Sequence, residues 1–480
     1  MAVTRINLDS IAGLGVQNAT PSYSKNVRRR LLAVFLIALL LPIQPELGGQ
    51  RLDPYRLLLL ILFLPFLAAI LKHRAGPFTI IDKMMVCYGS WTVVTLVFHH
   101  GMAKLAYASI LAIMLLGGYL AGRLLIRNAQ DYRRFIEYFL VLLLILLPFA
   151  LFELITSRMV ITEIFGKLFP VISNFNKMRY GLFRVQVVFP HAILFGLFCS
   201  IGFANVLYIY RSHFFGCLVR LALVVGMTFM SLSSAPLLSI AIQSIAAGWD
   251  KVTRGRWLIL LISFVLMYAF LSLASNRGPI ILLIEKLTFN PGTAWWRVYI
   301  WEYGVQSVMT HPLFGLGLND WARPSWLSST VDNFWLLTAM QAGIPALAFL
   351  VVAIVIHVFR IVRANELDAQ TQRIRTGYLI ALAGTALTLG TVHAWDALAV
   401  FIMFFIGSGS FLYTPLPEDQ RENKMKGTSH QKVGSRNEGG SIREPMLYSR
   451  SHLIKKDKMS ETKKTIKTTS PTYARSIKKD

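Results

Sequence analysis

The segment between residues 297 and 333 collects side chains that could carry out chemistry. It contains two arginines, one histidine, two aspartates and two asparagines: Arg297, His311, Asn319, Asp320, Arg323, Asp332 and Asn333. Guanidinium groups bind phosphate through paired hydrogen bonds, and a carboxylate or a neutral imidazole can accept a proton. The segment is therefore a candidate site for a reaction on a phosphorylated substrate.

A second set of polar residues lies in the stretch FRVQVVFPHAILFG, residues 183–196. Arg184 stands at the mouth of a predicted span, where an arginine could anchor the helix end or bind a ligand. His191 lies deeper, next to Pro190, and ionisable groups inside a span are costly and tend to face a cavity or a partner. The residue type fits a buried, hydrogen-bonded imidazole as well as a proton carrier.

These residues must be positioned by a chain that is largely apolar. Of its 480 residues, 55% are hydrophobic, in solid runs that approach the roughly 20 residues needed to cross about 30 Å of hydrocarbon. Such runs lack the alternation of a β-barrel, so the sequence predicts an all-α, polytopic membrane protein. We predict twelve spans, at residues 31–47, 57–71, 82–98, 104–122, 136–156, 186–208, 215–231, 235–248, 257–274, 333–359, 377–394 and 397–413.

The basic residues predict the orientation of these spans. The formal charge is +25, and Lys and Arg concentrate in the tail and in short connections, which the positive-inside rule places in the cytoplasm. Both termini then lie in the cytoplasm, and topology rather than nucleic-acid binding accounts for the charge. The predicted organisation is an N-terminus, nine spans, a large outer loop that is partly helical, three spans and a disordered basic tail, at residues 1–30, 31–274, 275–332, 333–413 and 414–480.

The three cysteines indicate no redox or metal chemistry. Cys87, Cys199 and Cys217 all fall in or beside predicted spans, which suggests neither a disulfide framework nor a metal cluster. We expect no cofactor and no metal ion.

The predicted outer loop combines an aromatic helix with a turn. TAWWRVYIWEYGVQSVM, residues 293–309, has apolar residues at helical spacing, which predicts a helix along the membrane surface. Its tryptophans fit an interfacial belt or stacking on sugar rings. HPLFGLGLNDW follows, in which Pro312 ends the helix, and Gly315 and Gly317 allow backbone conformations or close approaches that other residues resist.

With these segments in this order, the chain resembles the O-antigen ligase and Wzy-type polysaccharide polymerase family. The resemblance rests on HPLFGLGLNDW after the aromatic helix, on FRVQVVFPHAILFG, on the Ser-rich SLSSAPLLS, and on DNFWLLTAMQAGIPA. The last is similar to the family pattern of His-Asn, nine residues, Gly, two residues, Gly, here with Asn333, Gly343 and Ala346. Asp332 stands where ligases have the histidine, and Ser234 stands where an arginine is common. Both departures favour a repeat-unit polymerase over a ligase.

The family consists of integral membrane glycosyltransferases that act on undecaprenyl-diphosphate-linked sugars at the outer face of the bacterial inner membrane. The resemblance implies a metal-independent, inverting polymerase in that membrane, which joins lipid-linked oligosaccharide repeat units into an exopolysaccharide, a capsule or O-antigen. Its partners would be the lipid-linked donor and acceptor, the bilayer, and chain-length and export proteins. A ligase that transfers glycan to lipid A core or to protein is one alternative, and a flippase for lipid-linked oligosaccharides is another.

The resemblance also assigns roles to residues of this chain. Arg184 and Arg297 match the arginines that bind the lipid diphosphate, Asp332 is the candidate general base, and His311 is the second choice. Candidate supporting residues are Arg323, Asn333, His191 and Asn319. Asp332 keeps a second reading, because aspartate is a favoured N-cap and its type fits capping of the following helix as well as proton transfer.

Overall fold

The computed structural model describes residues 25–171, 178–253, 255–274, 291–365 and 367–414. All of them belong to one compact unit, Met1–Arg421. The predictions for residues 1–24, for residues 275–290 of the outer loop and for the tail after residue 414 lie outside the described residues.

The described chain is mostly helical, as the sequence predicts. The helices are α1 Lys25–Leu40, α2 Pro54–Leu71, α3 Ile80–His100, α4 Leu105–Leu125, α5 Ala129–Thr156, α6 Val160–Gly166, α7 Ala192–Ser200, α8 Gly202–Tyr210, α9 Phe214–Met230, α10 Ser234–Thr253, α11 Trp257–Ala274, α12 Pro291–Thr310, α13 Phe334–Val362, α14 Ala369–Thr388 and α15 Asp396–Ser408. Two short antiparallel hairpins lie between them: β1 Glu46–Leu47 with β2 Gln50–Arg51, and β3 Met178–Arg179 with β4 Leu182–Phe183.

The lengths and composition of the helices are those of a membrane protein. Within the described residues, six helical segments are long and apolar enough to cross a bilayer: Pro54–Leu71, Ile80–His100, Met102–Leu125, Ala129–Thr156, Ala192–Tyr210 and Phe334–Val362. Shorter apolar helices lie at Phe214–Met230, Trp257–Phe270 and Asp396–Leu412. The total of twelve spans stays a prediction.

Several predicted span boundaries differ from the helices of the structure: α5 begins at Ala129 rather than 136, and α14 runs over Ala369–Thr388 rather than 377–394. The first span, predicted at 31–47, ends at Leu40, because Pro42 lacks the N–H that would continue the helix. The span predicted at 186–208 begins only at Ala192, because the preceding residues form a packed loop. The Ser-rich break is where the sequence predicts it, between the end of α9 and the start of α10.

Glycines allow close packing between α4 and α15 in the core. A Cβ at Gly122 would collide with the Phe404 carbonyl, and a Cβ at Gly407 would collide with the Tyr119 carbonyl. The two backbones therefore touch, which strengthens helix association where lipid offers no hydrophobic driving force. Phe404 also packs edge-on against Phe135 of α5, with ring centroids 5.1 Å apart.

Ion pairs mark the two ends of the helical bundle. At one end, Arg28 at the start of α1 pairs with Asp131 at the start of α5, at 3.3 Å. At the opposite end, Arg56 at the start of α2 pairs with Asp396 at the start of α15, at 2.8 Å. The first turn of α13 lies at this second end, since the Phe334 N–H donates to carbonyls of the α14–α15 connection. We call this second end the site end.

Candidate active site

Arg184 is held at the site end by the Ser-rich turn between α9 and α10. Its side chain is 8% exposed, and its guanidinium donates to the Ser233 hydroxyl at 2.7 Å and to the Ser231 carbonyl at 3.4 Å. Arg179, one hairpin earlier, donates to the Leu232 carbonyl at 2.9 Å. The turn therefore gathers two guanidinium groups. The sequence singled out Arg184 and the turn separately, but it gave no signal for their contact or for Arg179.

Among the residues that the structure describes, neither Arg179 nor Arg184 forms a salt bridge with a carboxylate. Burial and, to a smaller extent, the positive charge of Arg179 lower the pKa of Arg184 to about 10. Among the described groups, no acid contributes to that shift. Two adjacent cations without a counter-charge favour an anion, and guanidinium forks match the geometry of phosphate.

The backbone directly after Arg184 is held by hydrogen bonds to two helices, α5 and α9. The buried Glu153 carboxylate, at the end of α5, accepts hydrogen bonds from the Gln186 and Val187 N–H groups at 2.9 and 2.8 Å. The Val185 N–H donates to the Met230 carbonyl at 3.0 Å. Arg184 is therefore presented by a rigid segment rather than by a free loop, as an anion site requires.

A small apolar core brings α12 and α13 together and places Arg297 near Asp332. The predicted aromatic helix is present as α12; its position on the membrane surface stays a prediction. The core contains Ile300, Val308, Trp321, Leu327, Val331, Leu336, Ala339 and Met340. Arg297 lies on α12 and Asp332 lies directly before α13, next to the buried Val331.

Arg297 and Asp332 interact electrostatically without a closed salt bridge. Partial removal from water lowers the pKa of Arg297 and raises that of the Asp332 carboxyl, and each charge opposes the shift of the other. The Arg297 Nε is buried and has no hydrogen-bond partner among the residues the structure describes. The Asp332 side chain remains exposed at the surface. A half-buried guanidinium and an exposed carboxylate of raised pKa therefore lie close to each other without forming a salt bridge.

Asp332 does not cap the following helix. The N-cap of α13 is Asn333, whose side chain accepts a hydrogen bond from the Leu336 N–H at 3.0 Å. The capping role that the sequence left open for Asp332 therefore belongs to Asn333. Asn333, predicted as a supporting residue, has a structural role as the cap.

The glycine of the DNFWLLTAMQAGIPA stretch breaks α13. Gly343 has φ of 78°, and a Cβ there would collide with the Leu313 carbonyl. The HPLFGLG turn, residues 311–317, packs into the break and forms three hydrogen bonds with α13. These are Ile344 N–H to Pro312 O at 2.8 Å, Leu316 N–H to Met340 O at 2.7 Å, and Gly317 N–H to Gln341 O at 3.0 Å. Broken helices are tolerated in membrane proteins where protein covers the freed backbone groups.

Helix α3 supports the same turn from the other side. The Phe314 ring stacks on Phe98 and Trp91, with centroids 4.5 and 5.4 Å apart. The His100 Nε2 accepts a hydrogen bond from the Leu318 N–H at 2.8 Å. HPLFGLG is therefore a packing element that supports α13 and sets the position of its first two turns.

The structure does not bring His311 beside Asp332. His311 is exposed, and its Nδ1 lies 3.0 Å from the Thr310 hydroxyl. The carbonyl of its neighbour Pro312 accepts a hydrogen bond from the Ile344 N–H. Ile344 follows Asp332 by twelve positions, so at 1.5 Å per helical residue His311 and Asp332 lie roughly 15 Å or more apart along α13.

The remaining predicted residues are distributed around the site. Arg323 forms an internal brace, donating to the Asp320 carboxylate at 2.5 Å and to the Leu327 carbonyl at 3.0 Å. Asn319 is exposed in the loop. His191 is the N-cap of α7, since its Nδ1 accepts from the Ile193 N–H at 3.1 Å.

A row of four aromatic rings joins the two arginine regions. His191 contacts Trp395 at 6.2 Å between centroids, Trp395 stacks on His393 at 5.7 Å, and His393 stacks on Phe334 at 6.2 Å. His191 belongs to the Arg184 segment and Phe334 follows Asp332 by two positions. The middle two rings come from the short HAWDA stretch, residues 393–397, at the connection between α14 and α15.

Burial also perturbs His393, one of the two histidines in this row. It lowers the pKa of His393 to about 4, against a weaker opposing effect of Asp396. The His393 Nδ1 is buried and finds no hydrogen-bond partner within the described part of the chain. His393 is therefore a neutral imidazole near neutral pH.

A comparison with family models covers the segment from α9 to the middle of α13. Residues 219–351 match the O-antigen ligase model, Wzy_C. The matched segment includes the Ser-rich turn, α12, Asp332 and the break at Gly343, and it confirms the resemblance seen in the sequence. No curated protein matches the chain. The protein therefore carries a segment of the O-antigen ligase/Wzy type, whose members are glycosyltransferase-like membrane enzymes.

Arg179 and Arg184 lie before the matched O-antigen ligase segment, but the turn that they contact lies inside it. Arg297, on α12, and Asp332 also lie inside it. The candidate site is thus built mainly by the Wzy_C segment and completed by the hairpin β3–β4.

Proposed function

We propose that this protein polymerises undecaprenyl-diphosphate-linked oligosaccharide repeat units into a surface or secreted polysaccharide. One observation carries the proposal: a carboxylate of raised pKa, Asp332, lies beside Arg297 at the same end of the bundle as the unbalanced pair Arg179 and Arg184. This is the set of groups that glycosyl transfer from a diphosphate needs, namely a proton acceptor and cations for the leaving group.

In the proposed reaction, a hydroxyl oxygen of the acceptor glycan bonds to the anomeric carbon of the donor while the bond from that carbon to the diphosphate oxygen breaks. The diphosphate leaves with the electron pair, and the guanidinium groups of Arg184 and Arg297 stabilise its developing charge. Asp332 takes the proton of the attacking hydroxyl and releases it to water, since the side chain is exposed. Attack from the face opposite the leaving group inverts the anomeric configuration, and no step requires a metal ion.

Two residue positions support polymerase over ligase within this family. Asp332 stands where ligases have a histidine, so the proposed base carries a negative charge before it accepts the proton. Ser234 stands where an arginine is common, and in this chain Arg179 supplies a guanidinium to the same turn from a neighbouring hairpin. The description of the matching model as O-antigen ligase favours the second candidate, a ligase that transfers glycan to lipid A core or protein.

The proposal includes a location and partners. The site end would face the periplasm from the bacterial inner membrane, with both chain termini in the cytoplasm, as the distribution of basic residues predicts. There the enzyme would bind two lipid-linked oligosaccharides, one as donor and one as acceptor. Chain-length and export proteins of the same assembly system would act beside it.

The test is to delete the gene and analyse the length of cell-surface glycan by gel electrophoresis. Loss of long chains with single repeat units remaining supports the polymerase, whereas long chains accumulating on the lipid carrier support the ligase. Unchanged surface glycan contradicts both, and intermediates accumulating at the cytoplasmic face would indicate a flippase.

Complementation then tests the site. Wild type should restore long chains and Asp332→Asn should not. Glu302→Gln is the matched control, because Glu302 is an exposed acid on α12 that has no role in the proposed reaction. Full restoration by Asp332→Asn would show that Asp332 is not the base.

A further inference from the structure

A cavity at the site end lies beside the proposed reaction centre but has a different chemistry. Its volume is about 230 Å³, and it lies between α2, α3, α4, α13 and α15. Phe334, Thr338 and Gln341 form its wall on the first turns of α13, starting two positions after Asp332. His393 and Trp395 close it on the side of the aromatic row.

Some polar groups that line the cavity are hydrogen-bonded, such as Arg56 and Thr338, but others have no partner among the described residues. The side chains of Gln50, Tyr107 and Gln341 form no hydrogen bond with other described residues, and neither does the buried Nδ1 of His393. Of these groups, only the His393 Nδ1 is fully removed from water without a hydrogen bond, which is costly, whereas the half-buried side chains of Gln50, Tyr107 and Gln341 can bond a ligand that enters. An acyl chain of lipid would leave all of them unsatisfied, so the cavity fits an occupant with hydroxyl or amide groups.

The charges of the cavity are already balanced, unlike those near Arg184. Arg56, which lines it, pairs with Asp396 at 2.8 Å and with Asp53 at 3.1 Å. Arg51, near the rim, pairs with Asp396 at 3.4 Å. A phosphate placed here would have to compete with these carboxylates, so an uncharged polar ligand fits better than an anion.

The apolar part of the lining completes the match to a sugar. Aromatic rings of Tyr55, Tyr88, Tyr107 and Trp395 stand among hydrogen-bonding groups, and pockets for small ligands combine aromatic walls with a few placed polar groups. A pyranose ring has the same two characters, with C–H faces for aromatic rings and hydroxyls for amide, imidazole and phenol groups.

We propose that this cavity binds a neutral sugar ring of the glycan substrate, next to the diphosphate-binding arginines. This inference rests on the proposed function, because it takes the glycan from the polymerase or ligase reaction. Its proximity to Asp332 would place the hydroxyl of a bound ring near the proposed base. The sugar could belong to the acceptor, or it could be the donor ring attached to the diphosphate, and the chemistry of the cavity serves either.

The test is protection of a cysteine in the cavity wall, which needs no turnover. Ala399, which lines the cavity and is 9% exposed, is changed to cysteine in the full chain in lipid nanodiscs, and its rate of labelling by a small thiol reagent is measured after subtracting that of the parent. Ser328→Cys, on the exposed loop outside the cavity, is the control.

Three probes separate the ligand classes: neutral oligosaccharide released by mild acid from the cells' lipid-linked pool, the intact lipid-linked oligosaccharide, and inorganic pyrophosphate. We expect the sugar probes to slow labelling of Ala399→Cys about fivefold or more, with pyrophosphate and the control cysteine showing no effect. Protection by the free oligosaccharide identifies an acceptor ring, and protection by the lipid-linked form alone identifies the donor ring. Protection by pyrophosphate, or by none of the probes, overturns the proposal.

A second variant tests whether protection depends on a hydrogen bond from the cavity wall. Gln341→Leu removes an amide from the wall and should weaken protection of Ala399→Cys by roughly 2- to 12-fold in sugar concentration, the range for one neutral hydrogen bond. Gln306→Leu makes the same change on the exposed face of α12 and should leave protection unaltered. If gene deletion leaves glycan length unchanged, the polymerase fails while sugar protection still stands; if polymerisation is confirmed without protection, only the cavity proposal fails.

Discussion

The imidazole of His393 stacks on the phenyl ring of Phe334, with centroids 6.2 Å apart and an interplanar angle of 17°. Phe334 opens α13 directly after the Asp332–Asn333 pair, and His393 lies in the connection between α14 and α15. The position of the proposed base therefore depends on packing against a part of the chain outside the Wzy_C segment. This contact makes the protonation state of His393 a determinant of stability.

Acid should destabilise the protein through His393. Its pKa is about 4 in the folded state and about 6.5 when unfolded, so the unfolded chain binds more protons between those values. Stability is then complete above about pH 6.5 and is lost as the pH falls toward 4. The midpoint of thermal inactivation in detergent, measured across this window, should fall with acid in wild type and fall less in His393→Phe. His311→Phe, at an exposed histidine, should keep the wild-type slope; equal slopes in all three would contradict the prediction.

The local patterns of the sequence predict the helices and the break between α9 and α10, because apolar runs and Ser-Pro punctuation are properties of neighbouring residues. They also predict Arg184, Arg297 and Asp332 as candidates. They do not predict which residues meet across the bundle. Arg179 contacts Leu232, and His393 stacks on Phe334, although the residues of each pair lie far apart in the chain. The local pattern around one residue of such a pair does not indicate its partner.

The structure settles one alternative that the sequence left open, which residue caps α13, and the reason is physical. Residue type allowed either Asp332 or Asn333 to cap α13, because both aspartate and asparagine are favoured N-caps. The choice depends on where the backbone turns into the helix, and that is set by Phe334 packing against the α14–α15 connection. The close approaches that the sequence predicts at Gly315 and Gly317 are confirmed, Gly315 against α13 and Gly317 against α3, but the local pattern does not indicate which helices they approach.

Asp332 and Asn333 should separate catalysis from stability. Asp332→Asn removes the proton acceptor and is expected to lower polymerisation by about 10²-fold or more, with unchanged thermal stability because the cap remains. Asn333→Ala removes the cap and is expected to cost roughly 1 kcal/mol of stability with a smaller loss of activity. Glycan length in complemented cells and thermal inactivation of the purified variants measure the two effects. A drop in stability for Asp332→Asn equal to that of Asn333→Ala would assign the capping role to Asp332 after all.

As the pH is lowered, the activity should be lost at a higher pH than it would be for a base with the pKa of an ordinary carboxylate. This loss is the acid limb of the pH profile. Desolvation raises the pKa of Asp332, and Arg297 holds the rise back. The active, deprotonated form is lost as the pH falls through this raised pKa. Arg297→Gln should move the limb to still higher pH, whereas Arg297→Lys keeps the charge and should leave it near the wild-type position. The rate of polymer formation with purified enzyme, each variant scaled to its own maximum, measures the limb; a shift to lower pH in Arg297→Gln would be the wrong sign.

The Ser-rich turn should depend on guanidinium geometry and not only on charge. Arg184→Lys keeps a cation but loses the fork that contacts Ser233 and Ser231, so kcat/KM for the lipid-linked donor is expected to fall roughly 10- to 100-fold, the range for a hydrogen bond to a charged group. Arg179→Lys should have a smaller effect in the same direction. Arg158→Lys, at an exposed arginine paired with Glu163, is the control and should match wild type. Equal activity of Arg184→Lys and the control would remove Arg184 from the diphosphate site.

The break in α13 should be intolerant of any side chain at Gly343. Gly343→Ala places a Cβ against the Leu313 carbonyl and imposes a φ of 78° on a residue that disfavours it, at a cost of about 1–3 kcal/mol for the backbone alone. Because the turn that fills the break also supports the first turns of α13, activity should fall together with stability. Gly226→Ala is the matched control, since Gly226 lies within α9 with open space around it, and alanine there should be neutral or stabilising by roughly 0.5–1 kcal/mol. The yield of folded protein and its thermal inactivation midpoint measure both. If Gly343→Ala behaves like Gly226→Ala, the helix closes its break without penalty, and the close approach of HPLFGLG to α13 is not required for the site.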